Sequence, residues 1–309
     1  MPMNYQHILD EIYDEIQPEL KRGKVAGYIP ALAEVQKGQF AMTVTLPDGT
    51  VYSVGDSKKQ FSIQSISKVF TFTLALGIYS KELYKRVGVE PSGNPFNSLV
   101  QLEYEDGIPR NPFINAGAIS ITDSLISHYK DEYKTLEVIM HFIREISGNP
   151  AISFDQIVAN SEMEHGDRNL ALARLMKSFG NFENDVLGTV MTYFKHCAIT
   201  MNTEELSRAM MFLAFGGTDP ITKKEFISTR KAKRINAVML TCGHYDASGE
   251  FAFHVGLPAK SGIGGGIVAV VPQKMSIAVW SPALNKYGNS HAGTLALEKF
   301  TTKTGLSIF

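Results

Sequence analysis

Fifteen consecutive residues, Ser65 to Tyr79, are apolar nearly all the way round a helical wheel. A helix without a polar face has to be buried, so the rest of the chain must enclose this one. At its mouth stands Ser65-Ile66-Ser67-Lys68, which puts a hydroxyl and an amine at i and i+3 on one face. A lysine in a dry setting gives up its proton readily and can then take that of a neighbouring serine. The free N–H groups and the positive dipole end of the same helix face any oxyanion that forms there. If the chain is an enzyme, its chemistry is expected here.

The Ser-x-x-Lys spacing alone proves little, since it occurs three times. Ser127/Lys130 sits in the polar stretch Ser-His-Tyr-Lys-Asp-Glu, which reads as a solvated helix end. Ser228/Lys231 adjoins Lys233 and Arg234 on a basic exposed face where a lysine stays charged. Only Ser65/Lys68 is followed by Val69, Phe70, Phe72, Leu74, Leu76 and Ile78. The bland alternative for the pair is a helix N-cap and a snorkelling side chain.

With 309 residues the chain easily supports a sizeable core, as one large domain or as two lobes. Apolar residues make up 44%, charged residues 20%, and the net charge is −1. Those are the values of an ordinary soluble protein, with no global field to favour nucleic acid or an acidic membrane surface. The local cluster Lys223, Lys224, Arg230, Lys231, Lys233 and Arg234 reads as a solvated face or a subunit contact. Cys197 and Cys242 lie far apart without Cys-x-x-Cys or Cys/His spacing, so they read as reduced thiols. Met1 to Leu20 carries Asp10, Glu11, Asp14, Glu15 and Glu19 and no apolar signal-peptide core. No run is long enough for a membrane span, and the expected location is the cytoplasm.

Along the chain, residues 4–22 form an amphipathic helical pattern, and residues 39–47 and 50–56 alternate around the turn Pro47-Asp48-Gly49. Helices are expected near 115–129, 135–147, 167–179, 185–197, 203–215, 223–241 and 290–302. Asn115, Asp167 and Thr203 are read as N-caps, and Gly148, Gly180 and Gly216-Gly217 as stops. Phe251–Val255, Gly266–Val271 and Ser276–Trp280 are expected strands, the last two joined through Pro272-Gln273-Lys274. The fold class expected is mixed α/β: one antiparallel sheet assembled from both ends of the chain, flanked by helices. The whole of 1–309 is then a single catalytic domain, with an α/β lobe from about 1–90 and 242–309 and an inserted all-helical lobe over about 91–241.

Lys260-Ser261-Gly262 precedes the glycines Gly264, Gly265 and Gly266 and the last hairpin. On an edge strand this triplet can line a cleft, the glycine letting a substrate approach and the lysine offering charge. A plain turn is the alternative. The glycine run lacks Gly-x-Gly-x-x-Gly or Walker spacing, so it reads as close packing rather than a phosphate site. A second copy, Lys303-Thr304-Gly305, has no partner strand and is set aside. In order, spacing and element type, Ser65-x-x-Lys68 and Lys260-Ser261-Gly262 together resemble the serine β-lactamase and transpeptidase fold. That resemblance implies acyl transfer to a serine.

A narrower resemblance covers most of the chain. Gly27-Tyr28-Ile29-Pro30, the segment Phe61–Lys68, Val89-Glu90-Pro91-Ser92-Gly93, Asn111–Ile119, Ser161-Glu162, Gly166-Asp167-Arg168-Asn169, Cys242–Asp246 and Phe251–Gly262 are similar, in order, to the serine-dependent glutaminases. In that family the nucleophile matches Ser65 and its base Lys68. Positions matching Asn115, Glu162, Asn169 and Tyr193 hold the amino-acid end of the substrate, Glu162 supplying an anion for its ammonium. Tyr28 and Tyr245 match tyrosines at the reacting centre, with Tyr245 a candidate proton donor. The backbone N–H groups of Ser65 and Ile263 match the oxyanion hole, at a position where some members carry valine. Gln64 and Lys260 stand as secondary members of the site.

The resemblance therefore implies hydrolysis of L-glutamine to L-glutamate and ammonia by a glutamyl-serine intermediate, without metal or organic cofactor. It also implies a homodimer or homotetramer, with no nucleic acid or membrane partner. Two rivals stay open from the residues: a penicillin-type acyl enzyme, and a glutamine sensor that acylates without turnover. Read singly, Tyr28, Tyr193 and Tyr245 could be core tyrosines, Glu162 a surface carboxylate, Asn115 a cap and Asn169 a polar residue of a first helical turn.

Overall fold

The computed structural model describes residues 3–27, 29–93 and 97–309. Its strands are β1 (Ala41–Thr45), β2 (Val51–Gly55), β3 (Phe61–Ser62), β4 (Thr200–Met201), β5 (Ala259–Ser261), β6 (Gly266–Val271) and β7 (Met275–Trp280). The hairpin between β1 and β2 turns at Gly49, whose φ is 89°, while Asp48 Oδ1 accepts the N–H of Thr50. Five strands form one antiparallel sheet in the order β2-β1-β7-β6-β5, with Ala41 and Gly266 both opposite Trp280. The sheet thus draws two strands from the early part of the chain and three from the late part. A separate two-stranded ladder joins β3 to β4.

The helices before the middle of the chain are α1 (Tyr5–Ile16), α2 (Pro30–Ala33), α3 (Ser67–Tyr79), α4 (Leu99–Tyr104), α5 (Asn115–Tyr129) and α6 (Glu132–Ser147). Then follow α7 (Gln156–Glu164), α8 (Asp167–Ser178), α9 (Val186–Cys197), α10 (Thr203–Ala209) and α11 (Met211–Ala214). The last are α12 (Thr229–Cys242), α13 (Ser248–His254) and α14 (His291–Thr304). None of the described helices is long and apolar enough to cross a membrane.

Both faces of the sheet are covered, which is why β6 and β7 are buried at every residue. On one face Met42, Val44, Ile267, Ala269, Ile277 and Val279 pack with Leu9 and Ile12 of α1 and Ala296 and Phe300 of α14. On the other, Ala41, Val268, Val270, Ala278 and Trp280 share a core with Val69, Phe70 and Phe72 of α3. Polar strand residues on that side are satisfied laterally: Thr43 and Thr45 meet Thr203 at 2.8 Å and Ser207 at 2.7 Å on α10. As its composition requires, α3 is buried over most of its length.

Several expectations are corrected. Phe251–Val255 is not a strand but the end of α13: Phe251 and Val255, four apart, are buried while Phe253 is 84% exposed. That is helical periodicity. The helix expected over 203–215 breaks at Met210 into α10 and α11. The one expected from 223 starts at Thr229, because Thr218 and Glu225 bridge and Asp219 gathers Arg208, Thr222 and the Ile221 N–H. Caps fall one residue earlier than read, at Ile114, Gly166 and Asn202. Helix α3 likewise begins at Ser67, with Ser65 in a 3₁₀ turn before it.

Candidate active site

Ser65 is reached directly from β3. Gln64, between the strand and the serine, has φ of 50°, a left-handed conformation that costs a non-glycine residue about 1–3 kcal/mol unless its surroundings hold it. They do so here: Gln64 is buried, and its Nε2 donates to Ser62 Oγ at 2.9 Å and Glu162 Oε1 at 3.0 Å. The turn is closed from the other side by the strand end after β5. A Cβ on Gly262 would stand 2.4 Å from the Ile63 carbonyl oxygen and 3.3 Å from the Ser65 nitrogen. Only glycine lets the chain before Ile263 approach the serine so closely.

Lys68 is fully buried in the first turn of α3. Its Nζ donates to the Phe113 carbonyl at 3.1 Å and to Asn115 Oδ1 at 2.7 Å, and no hydrogen bond of it goes to Ser65. Burial pulls the amine down to about 8, against a weaker opposing pull from Cys197 and Glu162. Asn115 Oδ1 also accepts the Tyr193 hydroxyl at 3.2 Å, while its Nδ2 donates to Asn169 Oδ1 at 2.9 Å. Asn115 is the first residue of α5, not its cap, so its side chain is free to join Lys68, Tyr193 and Asn169.

Glu162 lies near the C-terminal end of α7 and Asn169 in the first turn of α8. The break between the helices at His165 and Gly166 brings both to the same cavity. Gly166 is required there, since a Cβ would meet the Glu162 carbonyl oxygen and the Phe194 ring, each at 2.8 Å. Burial pushes the Glu162 carboxyl up to about 8, more than the Gln64 amide and the Lys68 cation pull it down.

Tyr245 follows a turn after α12 and also has a positive φ, 55°. Burial raises its phenol to about 12, against a weaker opposing pull from the side chains of Ser65 and Ser261. Lys260 Nζ sits 4.4 Å from the centre of the Tyr245 ring and donates to the carbonyls of Gly243 at 3.0 Å and Ser261 at 2.6 Å. Ser261 Oγ donates to Asn289 Oδ1 at 2.6 Å. Lys260 is therefore a buried brace behind the tyrosine, and burial, then the Lys68 cation, holds its amine well below the usual lysine range.

Gln64, Ser65, Asn115, Glu162, Asn169, Tyr193, Tyr245 and Ile263 all line one cavity of about 110 Å3. Lys68 stands behind it through Asn115, and Lys260 behind it through Tyr245. Tyr28 lies outside the described residues. Sequence reasoning assigned no role to Ile29, Asn97, His165, Arg168 and Phe194, which also line the cavity. Of these, Ile29 and Arg168 fall within matching segments, whereas Asn97 and Phe194 carry no local signal. Nor did it single out the Phe113 carbonyl or Asn289, which act through backbone position and a long-range pairing. Among the described residues no group of three or more His, Cys, Asp and Glu side chains could hold a metal ion.

A family model described as Glutaminase matches residues 23–309. The chain belongs to the glutaminase family. The glutaminase of Aliarcobacter butzleri is 61% identical over 307 residues, covering 99% of this chain and 100% of that one. The glutaminase of Agrobacterium fabrum is 54% identical over 304 residues, covering 98% of each. Among solved structures, the "probable glutaminase" of Bacillus subtilis, complexed with 6-diazo-5-oxo-L-norleucine, is 35% identical with a TM-score of 0.89, covering 100% of this chain and 98% of that one. The fold class is the one expected, mixed α/β with an antiparallel sheet flanked by helices, and the chain is an enzyme of that family.

Proposed function

We propose that this enzyme hydrolyses L-glutamine to L-glutamate and ammonia through a glutamyl ester on Ser65, with Lys68 as the base. One observation carries the reading. A neutral amine has two hydrogens and a lone pair, and the two hydrogen bonds of Lys68, to Phe113 O and Asn115 Oδ1, use both hydrogens. Its lone pair is left over, one turn from Ser65, with the amine already drawn down to about 8.

Ser65 Oγ attacks the side-chain carbonyl carbon and its proton passes to Lys68. The carbonyl electron pair moves to oxygen, held by the N–H groups of Ser65 and Ile263. As the carbonyl re-forms, the C–N bond breaks. The nitrogen takes the proton from Lys68, directly or through the Tyr245 hydroxyl, and leaves as ammonia. Water then adds to the ester carbon, giving a proton to Lys68. The C–Oγ bond breaks, Ser65 recovers the proton and glutamate departs.

At the other end of the cavity Glu162 takes the α-ammonium. The α-carboxylate falls to the Tyr193 hydroxyl, the Asn115 and Asn169 amides and the N-terminus of α5. Tyr28 is assigned to the reacting centre on the resemblance alone. The same reading takes the enzyme as a cytoplasmic homodimer or homotetramer.

The test is covalent trapping. A diazoketone of the kind bound to the Bacillus subtilis protein resembles glutamine at its amino-acid end, and its adduct can be mapped by peptide mass spectrometry. The label is expected on Ser65, with glutamine turned over and a chromogenic cephalosporin left intact. A label on another side chain, or ring opening without ammonia release, would overturn the proposal.

A further inference from the structure

Beneath the pair lies a buried histidine to which no role has been given. Ser67, the first residue of α3, meets His196 Nδ1 at 2.8 Å through its hydroxyl, and His196 Nε2 meets Thr122 Oγ1 at 3.2 Å. All three side chains are fully buried. Thr122 spends its one hydroxyl proton on the Ala118 carbonyl at 2.9 Å, so Nε2 must bring the hydrogen to the contact with His196. Burial and the Lys68 cation hold the imidazole down to about 3, so it is neutral. Nδ1 is then a bare acceptor, and Ser67 must donate to it.

His196 stands one turn beyond Tyr193 on α9, and Tyr193 donates to the same Asn115 oxygen that receives Lys68. The result is a closed circuit: Lys68 to Asn115, Asn115 to Tyr193, along α9 to His196, across to Ser67, and back through one peptide to Lys68. The entry to α3 has no side-chain cap of its own. We propose that His196 is a positioning residue, which fixes the Ser65–Lys68 pair against α9 through its hydrogen bond with Ser67. The inference rests on the Ser65–Lys68 chemistry proposed above.

Four variants test it: Ser67→Ala, His196→Leu, the double variant, and His196→Asn, whose amide oxygen replaces the Nδ1 acceptor. Ser67→Ala and His196→Leu are each expected to lower kcat by about 30- to 100-fold, the scale of a misplaced reacting group, with KM nearly unchanged. Their effects should not multiply in the double variant, because both remove the same bond. His196→Asn should recover most of kcat. Labelling by the diazoketone should slow in parallel, at full final stoichiometry.

Multiplying losses would overturn the proposal. So would a lower labelled fraction with unchanged turnover per labelled site, which marks mere misfolding. Ser67→Ala removes a single oxygen, so it keeps the test alive if His196→Leu fails to fold. A label mapped away from Ser65 would instead sink the underlying mechanism.

Discussion

Lys68 and Asn115 form a buried pair in which the lysine Nζ donates to the amide Oδ1 at 2.7 Å. The partner is a neutral amide rather than a carboxylate, so the contact offsets the loss of water around the ammonium less than an anion would. Burial, with no anion at that contact, is what draws the amine down to about 8. Asn115→Asp would put an anion there and hold the proton on Lys68. Its activity at neutral pH is expected to fall, and the rising limb of its pH–rate profile to move to higher pH. An unmoved limb in steady-state ammonia release would argue against Lys68 as the titrating group.

With Lys68 as the proposed base, which acts only when unprotonated, kcat/KM of the parent enzyme should rise with pH and level off above about 8. Lys68→Arg keeps a cation but cannot deprotonate, and should lose roughly a thousandfold or more in kcat. Single-turnover ammonia release separates this from a binding loss, which would appear in KM.

Glu162 makes an opposite demand on stability. Its folded pKa is about 8 against 4.5 for the free side chain, so between those values the native state binds a proton that the unfolded state does not. Stability contributed by this group is therefore present below 4.5 and lost as pH rises to about 8. Glu162→Gln keeps an acceptor for Gln64 but removes the titration. It should melt higher than the parent at pH 8, with the gain shrinking towards pH 5, while KM for glutamine rises sharply. Equal Tm differences at both pH values would refute the account.

Gly262→Ala tests the close approach of the chain to Ser65, the proposed nucleophile. With the Ile63 carbonyl oxygen only 2.4 Å from the new carbon, the segment carrying Ile263 must withdraw from Ser65. A loss of about 100-fold in kcat is expected, with less change in KM. Parent-like turnover would show that the oxyanion is held elsewhere.

Away from the site, Asp123 is fully buried and accepts Arg86 together with Asn184 and the Glu183 N–H. Arg86→Met strands that carboxylate and should cost about 3–5 kcal/mol in urea unfolding, as broken buried pairs do. A cost below 1 kcal/mol would mean the backbone donors suffice.

Much of this architecture follows from local sequence. The apolar run after Ser65 is the buried helix its composition demands, and Asp48-Gly49 makes its hairpin. Context also separated the repeated motifs. Ser127 and Lys130 end α5, with Lys130 left-handed at the cap; Lys231 is a half-buried side chain of α12 whose Nζ donates to the Gly77 carbonyl at 3.0 Å; and Gly305 closes α14. Such features depend on residues a few positions apart, and one chain segment contains all the physics involved.

What the segments could not reveal was which side chains would share one cavity. Phe251 and Phe253 look alike in a β-prone string, and only packing decided that one is buried on a helix and the other left in solvent. Lys68 owes its low pKa to burial against residues such as Phe113 and Asn115, forty-five and forty-seven positions away. The carboxyl of Glu162 owes its high one to burial, against the opposing pull of Gln64, ninety-eight positions away. Desolvation and hydrogen bonding depend on three-dimensional neighbours, so the residue types were fixed in the chain but their protonation and partners only in the fold.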